Sequence, residues 1–110
     1  MKRFLVHFDR GATEDLVGIR DFLIPVTNDA FAEAFVDKII SYCEGLETVP
    51  QRGTVRDEIA PGLRIVGWRK TVSIAFQVNE STDRVLVLGV FYRGQDIASQ
   101  LRQRRSRDQD

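Results

Sequence analysis

The apolar residues of this chain change their spacing near Pro50, and this change constrains the fold more than any other feature. Before it, apolar side chains recur every three or four residues, as on one face of an α-helix. After it they alternate, which is typical of a β-strand with one buried face. With 110 residues and 43% hydrophobic content, the chain suits one compact domain and leaves little room for a second.

Two amphipathic helices are predicted ahead of the change in spacing. Thr13 is a suitable N-cap for the first helix, which should end at about Ile24 because Pro25 follows it. Asn28 or Asp29 can cap the second helix. The apolar stripe of that second helix consists of Phe31, Phe35, Ile39, Tyr42 and Leu46. The short link between the helices predicts an antiparallel hairpin.

The strands are predicted at residues 2–8, 54–59, 63–68, 71–78 and 84–91. The segment at 54–59 is the weakest of them and is expected at an edge. Gly89, inside the last strand, indicates a bulge or a close approach by another part of the chain. The predicted class is therefore α+β, a two-layer fold of the order β-α-α-β-β-β(-β). The helical hairpin should pack on a mostly antiparallel sheet.

The charges divide the chain although its formal net charge is zero. Residues 1–51 carry five basic and nine acidic side chains, whereas residues 52–110 carry eleven and seven. The strand half is therefore basic and can bind phosphate or an acidic partner. Residues 1–101 are predicted to form the domain, and residues 102–110 a basic tail that frays because its arginines lack apolar neighbours.

Cys43 is the single cysteine, so an internal disulfide is excluded and a reducing compartment is expected. The apolar stretch at residues 4–6 is too short for a signal peptide, and no run is long enough to span a membrane. A cytoplasmic protein without a membrane partner is predicted. With one His and one Cys in different elements, neither a metal site nor any cofactor is expected.

Two short segments in the strand half carry a resemblance to a known family. They are Pro61-Gly62-Leu63-Arg64 and the run VLGVFYRGQD at residues 87–96, each with an arginine at a strand end. In this order behind two helices, they resemble the ParE branch of the RelE/ParE toxins of toxin-antitoxin modules. The resemblance covers residues 2–101 and implies the same two-layer fold.

The resemblance also implies a function. ParE-like toxins are described as inhibitors of DNA gyrase that act by binding, are neutralised by a cognate antitoxin and serve plasmid stabilization. No catalytic residue is expected on this reading. The residues expected to bind the target are Arg64, Tyr92, Arg93, Arg102, Arg104 and Arg105. Those expected to bind the antitoxin are Leu16, Ile19, Arg20, Leu23, Arg69 and Arg93.

Two other readings stay open. RelE-like toxins are understood to cut mRNA on the ribosome without a metal, and here Arg64, Tyr92 and Arg93 would be the catalytic residues. Against that reading, no Tyr, His or Lys follows Asp96, and Asp57 and Glu58 precede Arg64 where the nuclease would want lysines. Tyr92, where many relatives carry His, is instead a departure from the ParE branch. The remaining reading is a non-toxic binding module on the same fold.

Overall fold

The structure is a computed structural model, and it describes residues 2–108. Its elements in chain order are β1 (Leu5–Phe8), α1 (Arg10–Leu23), α2 (Asp29–Glu44), a 3₁₀ turn (Gly45–Glu47), β2 (Thr54–Val55), β3 (Leu63–Trp68), β4 (Val72–Asn79), β5 (Arg84–Tyr92) and α3 (Ile97–Asp108). The predicted α+β class is confirmed, since three helices pack on a five-stranded, mostly antiparallel sheet.

The five strands form one sheet in the order β1-β5-β4-β3-β2. Tight connections make β3, β4 and β5 an antiparallel meander, whereas β1 returns beside β5 in parallel after the helical hairpin. The register between β4 and β5 shifts at Ala75 and Phe76, where Gly89 pairs with Ala75 and Val87 with Phe76. Leu88 is therefore the extra residue of a bulge next to Gly89, as the glycine predicted.

The sheet has two covered faces. The hairpin of α1 and α2 lies on the first face, over the main core, where Ile39, Ile74 and Phe76 are fully buried. The α3 helix lies on the second face, where Leu101 packs with a smaller cluster that includes Phe91. The first face takes the even-numbered residues of β3 and β4, and the second face takes the odd-numbered ones.

The first helix begins earlier than predicted. Asp9, not Thr13, precedes it, and the backbone N–H of Thr13 already donates to the carbonyl of Asp9 at 3.0 Å. Asp15 consequently lies in the second turn and points toward β5. The start of α2 is as predicted, because the side chain of Asn28 accepts a hydrogen bond from the N–H of Phe31 at 2.8 Å.

The basic C-terminal segment forms part of a helix, since α3 extends over Ile97–Asp108. Leu101 on it is buried, and Arg104 forms an ion pair with Asp15, 89 positions away in sequence. Fraying of residues 102–110 stays a prediction. The last two positions of that predicted tail, residues 109 and 110, lie outside the described residues.

None of the helices within residues 2–108 is long and apolar enough to cross a membrane.

A candidate docking surface at one end of the sheet

Three strand ends and the tip of the helical hairpin meet at one end of the molecule. Val72, at the start of β4, pairs with both Trp68, at the end of β3, and Tyr92, at the end of β5. Phe22, in the last turn of α1, and Phe31, in the first turn of α2, lie at the same end. The chain therefore brings aromatic side chains from four elements together.

These rings form a connected cluster, which we call the aromatic end: Phe22, Phe31, Phe35, Trp68 and Tyr92. Phe35 lies at its centre, with ring centroids 5.4 Å from Trp68 and 6.0 Å from Tyr92, both edge to face. Phe31 stacks on Phe35 at 6.2 Å, and Phe22 lies 5.9 Å from Tyr92. Distances and tilts of this kind are favourable for aromatic pairs.

Part of the aromatic end faces solvent. Phe22 is 51% exposed and Phe31 is 52% exposed, and Val26, in the loop between the two helices, is 66% exposed. Single apolar residues on a surface are ordinary, but a contiguous group of large ones is typical of an interaction site. The predicted stripe of α2 thus runs from a solvent-exposed start at Phe31 to a fully buried Leu46.

Cations line the rim of the aromatic end. The guanidinium carbon of Arg69 lies 4.6 Å from the Trp68 ring centroid, and that of Arg93 lies 5.3 Å from the Tyr92 centroid. Arg69 and Arg93 both have positive φ values, 51° and 52°. Such a backbone is uncommon for residues other than glycine, and it costs free energy that the surrounding structure must offset. The two turns therefore hold their arginines beside the rings.

A groove of about 450 Å³ runs from the aromatic end along α1 and the end of β5. Its walls include Gly18, Ile19 and Phe22 from α1, with Tyr92 and Arg93 on the other side. A Cβ at Gly18 would meet nothing within 4 Å, so the helix surface is open there. The groove is partly apolar, with Arg93 near the aromatic end and Glu14 and Asp15 also in its lining. A concave surface of this kind suits a peptide segment.

Arg64 does not belong to this end of the sheet. It lies four residues before Trp68 on β3, so its Cα is about 13 Å away along the strand. Its Nη1 instead lies 3.4 Å from the carbonyl oxygen of Arg52. The Arg52 guanidinium in turn lies 5.7 Å from the ring centroid of Tyr42. Of the three residues of the nuclease reading, only Tyr92 and Arg93 are neighbours.

The residues predicted on α1 to bind the antitoxin lie mainly on the side of the helix that faces the sheet, although Ile19 also lines the groove. Leu16, Ile19 and Leu23 are only 5–7% exposed because this stripe faces the sheet. Arg20 is half-buried and pairs with Asp21 at 3.2 Å. Two large apolar residues on this helix are exposed, Val17 at 43% and Phe22 at 51%, and both lie off the helical stripe. Phe22 is the one that joins the aromatic end. That off-stripe position was the available signal, because an apolar residue on the polar side of a helix needs another partner.

The C-terminal arginines predicted to bind a target are also separated. Arg104 is directed into the fold toward Asp15, while Arg102 is exposed on α3. The α3 helix covers the second face of the sheet, so Arg102 does not extend the aromatic end, which belongs to the first face. The side chain of Arg105 lies outside the part of the chain that the structure describes.

Cys43, the one cysteine of the chain, is fully buried in the main core. Burial, with a smaller contribution from Glu44, raises the pKa of the Cys43 thiol to about 12, which keeps it protonated and unreactive. Among residues 2–108, no group of three His, Cys, Asp or Glu side chains is placed to hold a metal ion. The arrangement supports binding through apolar and cationic contacts.

Comparison with known proteins gives the fold a family. The model of the ParE toxin of the type II toxin-antitoxin system parDE matches residues 6–97. Among solved structures, the chromosomal ParDE system from P. aeruginosa has a TM-score of 0.71 at 22% identity, over 83% of this chain and 97% of that one. The complex RelBE2 from Mycobacterium tuberculosis has a TM-score of 0.64 at 21% identity, over 86% and 97%.

An E. coli RelE toxin mutant in the free state is more distant, with a TM-score of 0.53 at 16% identity, over 96% of this chain and 97% of that one. The search of curated proteins gave no match. At these identities the solved structures show only that the fold is shared. Membership of the family rests on the family model, which spans most of the chain. The predicted ParE-like relationship is thereby confirmed, and the chain belongs to the ParE toxin family of type II toxin-antitoxin systems.

Proposed function

We propose that this toxin acts by binding, that DNA gyrase is its target, and that its cognate antitoxin neutralises it by covering the aromatic end. The observation that carries the proposal is the aromatic end itself, where Phe22 and Phe31 are half exposed beside two stacked arginines. Exposed aromatic side chains with neighbouring arginines are the residue types that dominate the binding energy of protein interfaces.

The chemistry of this surface suggests the segment that binds it. An antitoxin segment with apolar side chains can fill the groove along α1, and acidic side chains on it can pair with Arg69 and Arg93. Lys70, in the same turn as Arg69, adds a third positive charge. Because the rings and the charges are adjacent, the affinity should have a salt-dependent and a salt-independent part.

The placement of Arg64 supports binding over RNA cleavage. Metal-free cleavage requires groups that deprotonate the 2′-hydroxyl, neutralise the phosphorane and protonate the leaving oxygen around one phosphate. Arg64 lies about 13 Å along the strand direction from the end that holds Tyr92 and Arg93, and two strands away from β5.

The antitoxin part of the proposal can be tested by isothermal titration with the antitoxin encoded beside this gene. Phe22→Ala should weaken binding by about 30-fold or more, the scale of an interface hot spot. Leu5→Ala is the matched control, because Leu5 is 61% exposed on β1, away from the aromatic end. Equal affinities for Phe22→Ala and the wild type would place the antitoxin elsewhere.

The target part needs two assays on the purified toxin. We expect inhibition of gyrase supercoiling, weakened by Arg93→Ala through a higher dissociation constant, and intact mRNA on translating ribosomes. Codon-specific mRNA cleavage that Arg64→Ala abolishes would overturn the proposal in favour of the endonuclease. Inactivity in both assays, with antitoxin binding retained, would favour a non-toxic binding module.

A further inference from the structure

The ion pair between Arg104 and Asp15 joins α3 to α1 around the edge of the sheet. Its two hydrogen bonds, from Nη2 to Oδ1 at 2.6 Å and from Nη1 to Oδ2 at 3.0 Å, make it bidentate. The two side chains are 18% and 15% exposed, whereas each side chain in the other ion pairs of the described residues is at least 42% exposed. It is therefore the pair least screened by water.

This pair occupies the edge of β5 that β1 leaves open. Pairing with β1 ends at Phe8, after which the N–H of Asp9 donates to the carbonyl of Val87 at 2.9 Å. The next edge groups bond to the two side chains. The N–H of Val90 donates to Asp15 Oδ2 at 2.9 Å, and Arg104 Nη1 donates to the carbonyl of Leu88 at 3.3 Å. Asp15 and Arg104 thus form the hydrogen bonds with the β5 backbone that a neighbouring strand would otherwise form.

Two glycines leave the space that the arginine needs. A Cβ on Gly89 would lie 3.0 Å from Arg104 Nη1 and 2.5 Å from a ring carbon of Phe91. A Cβ on Gly11 would lie 3.2 Å from the same nitrogen. The guanidinium carbon also lies 5.1 Å from the centroid of Phe91. Residues from α1, β5 and α3 therefore combine to seat one side chain.

Few apolar side chains attach α3 to the sheet among residues 97–104. Leu101 is its one fully covered apolar side chain among residues 97–104, with Ile97 and Ala98 half-buried. A helix of this length is marginal without tertiary contacts. The link before it contains Arg93 and Gly94, whose φ values of 52° and 46° are both positive. Within residues 97–104, Leu101 and Arg104 therefore make the most enclosed contacts of α3, with Ile97 and Ala98 packed beside them.

We propose that α3 is a strap latched by Arg104 and Asp15, and that it opens and closes as one unit while the helical hairpin and the meander stay folded. Opening would free the β5 edge at Val90 and uncover Phe91 on the second face of the sheet. The inference concerns the fold and does not depend on the identity of the toxin's target.

Hydrogen exchange of the full chain, followed by mass spectrometry, tests the latch. Arg104→Met keeps the length of the side chain and removes its charge, so amides of residues 97–104 and the Val90 amide should exchange about tenfold faster or more. Amides of α2 should keep their rates. Arg102→Met is the matched control, because Arg102 is exposed on the same helix, and its rates should equal those of the wild type.

Two results would overturn the proposal. Unchanged exchange in Arg104→Met would show that the ion pair does not hold the strap, and an equal increase in α2 and α3 would show that the strap does not open separately. If Arg104→Met fails to fold, native-state exchange of the wild type in low denaturant decides. The amides of α3 should then open more readily than those of α2 and β4, and equal opening in all three would contradict a separate strap.

Discussion

The two faces of the sheet are held in different ways. On the first face, two amphipathic helices bury a continuous apolar core, and Ile39, Ile74 and Phe76 are fully inaccessible. On the second face, one arginine-rich helix covers a smaller cluster through Leu101 and is fastened by Arg104. Apolar burial is roughly additive and non-directional, whereas an ion pair is lost when one partner is removed. The first face should therefore set global stability, and the second should set local opening.

The largest expected effect is on the first face. Ile39→Ala should lower the free energy of unfolding by about 2–5 kcal/mol, because it leaves a cavity in a fully buried site. Urea unfolding measures this, with Leu5→Ala as the exposed control, expected within about 0.5 kcal/mol of the wild type. If Ile39→Ala cost less than about 1 kcal/mol, the first face would not be the main source of stability.

A smaller loss of unfolding free energy is expected at Gly89 of β5, which lies against Phe91 and Arg104. Gly89→Ala should cost about 1–3 kcal/mol, because its Cβ would collide with Phe91 and crowd Arg104. Gly67→Ala is the matched control in a neighbouring strand, where a Cβ would meet only the Val72 carbonyl oxygen at 4.0 Å. Equal unfolding free energies for the two variants would show that position 89 tolerates a side chain and that Arg104 is not closely packed against it.

High pH should act on the first face through Cys43. Because its pKa is raised to about 12, the thiol's contribution is complete below the unfolded pKa of about 8.5 and is lost as the pH rises toward the folded value. Between about pH 8.5 and 9.5 the wild type should lose about 1 kcal/mol more than Cys43→Ala. If the unfolding free energies of the two proteins changed in parallel with pH, the burial of the Cys43 thiol would be contradicted.

The smallest expected effect is a loss of α3 stability at low pH, through Asp96 next to the second face. The backbone N–H of Ser99, followed by its hydroxyl, lowers the pKa of Asp96 at the start of α3. The stabilisation is therefore present above the unfolded pKa of about 4 and is lost as the pH falls through the folded value. Exchange in α3 should rise in acid relative to α2, and less so in Asp96→Asn, which keeps a capping side chain at every pH.

Local patterns predicted the elements well because their causes lie within a few residues. The spacing of residues 63–68 gave the bounds of β3, and Asn28 gave the start of α2. Thr13 misled because it is a good cap by type, although the chain can already turn into a helix after Asp9. The contact between Asp15 and Arg104 could not be predicted, since nothing local in either segment points to the other.

The candidate site was harder to predict than the fold, since it depends on the order of the strands. Tyr92 and Arg93 are adjacent in sequence, so their shared position was evident. Arg64 was included because of the family resemblance, but it lies near the beginning of β3, whereas Tyr92 pairs with the start of β4 beside Trp68 at the end of β3. No feature of the sequence singled out Phe22, and Phe31 was placed in the apolar stripe of α2. That both rings stay half exposed is visible only once the two helices are assembled on the sheet.

The parallel pairing of β1 with β5 has a consequence for synthesis. Leu5 aligns with Arg84, so the first strand made must wait for the last one before the sheet can close. The helical hairpin can form early. The sheet, however, needs β5 between β1 and β4, and the aromatic end needs Tyr92, which β5 carries. A nascent chain that lacks β5 therefore carries neither a closed sheet nor a finished aromatic end, and both can form only after β5 has been made.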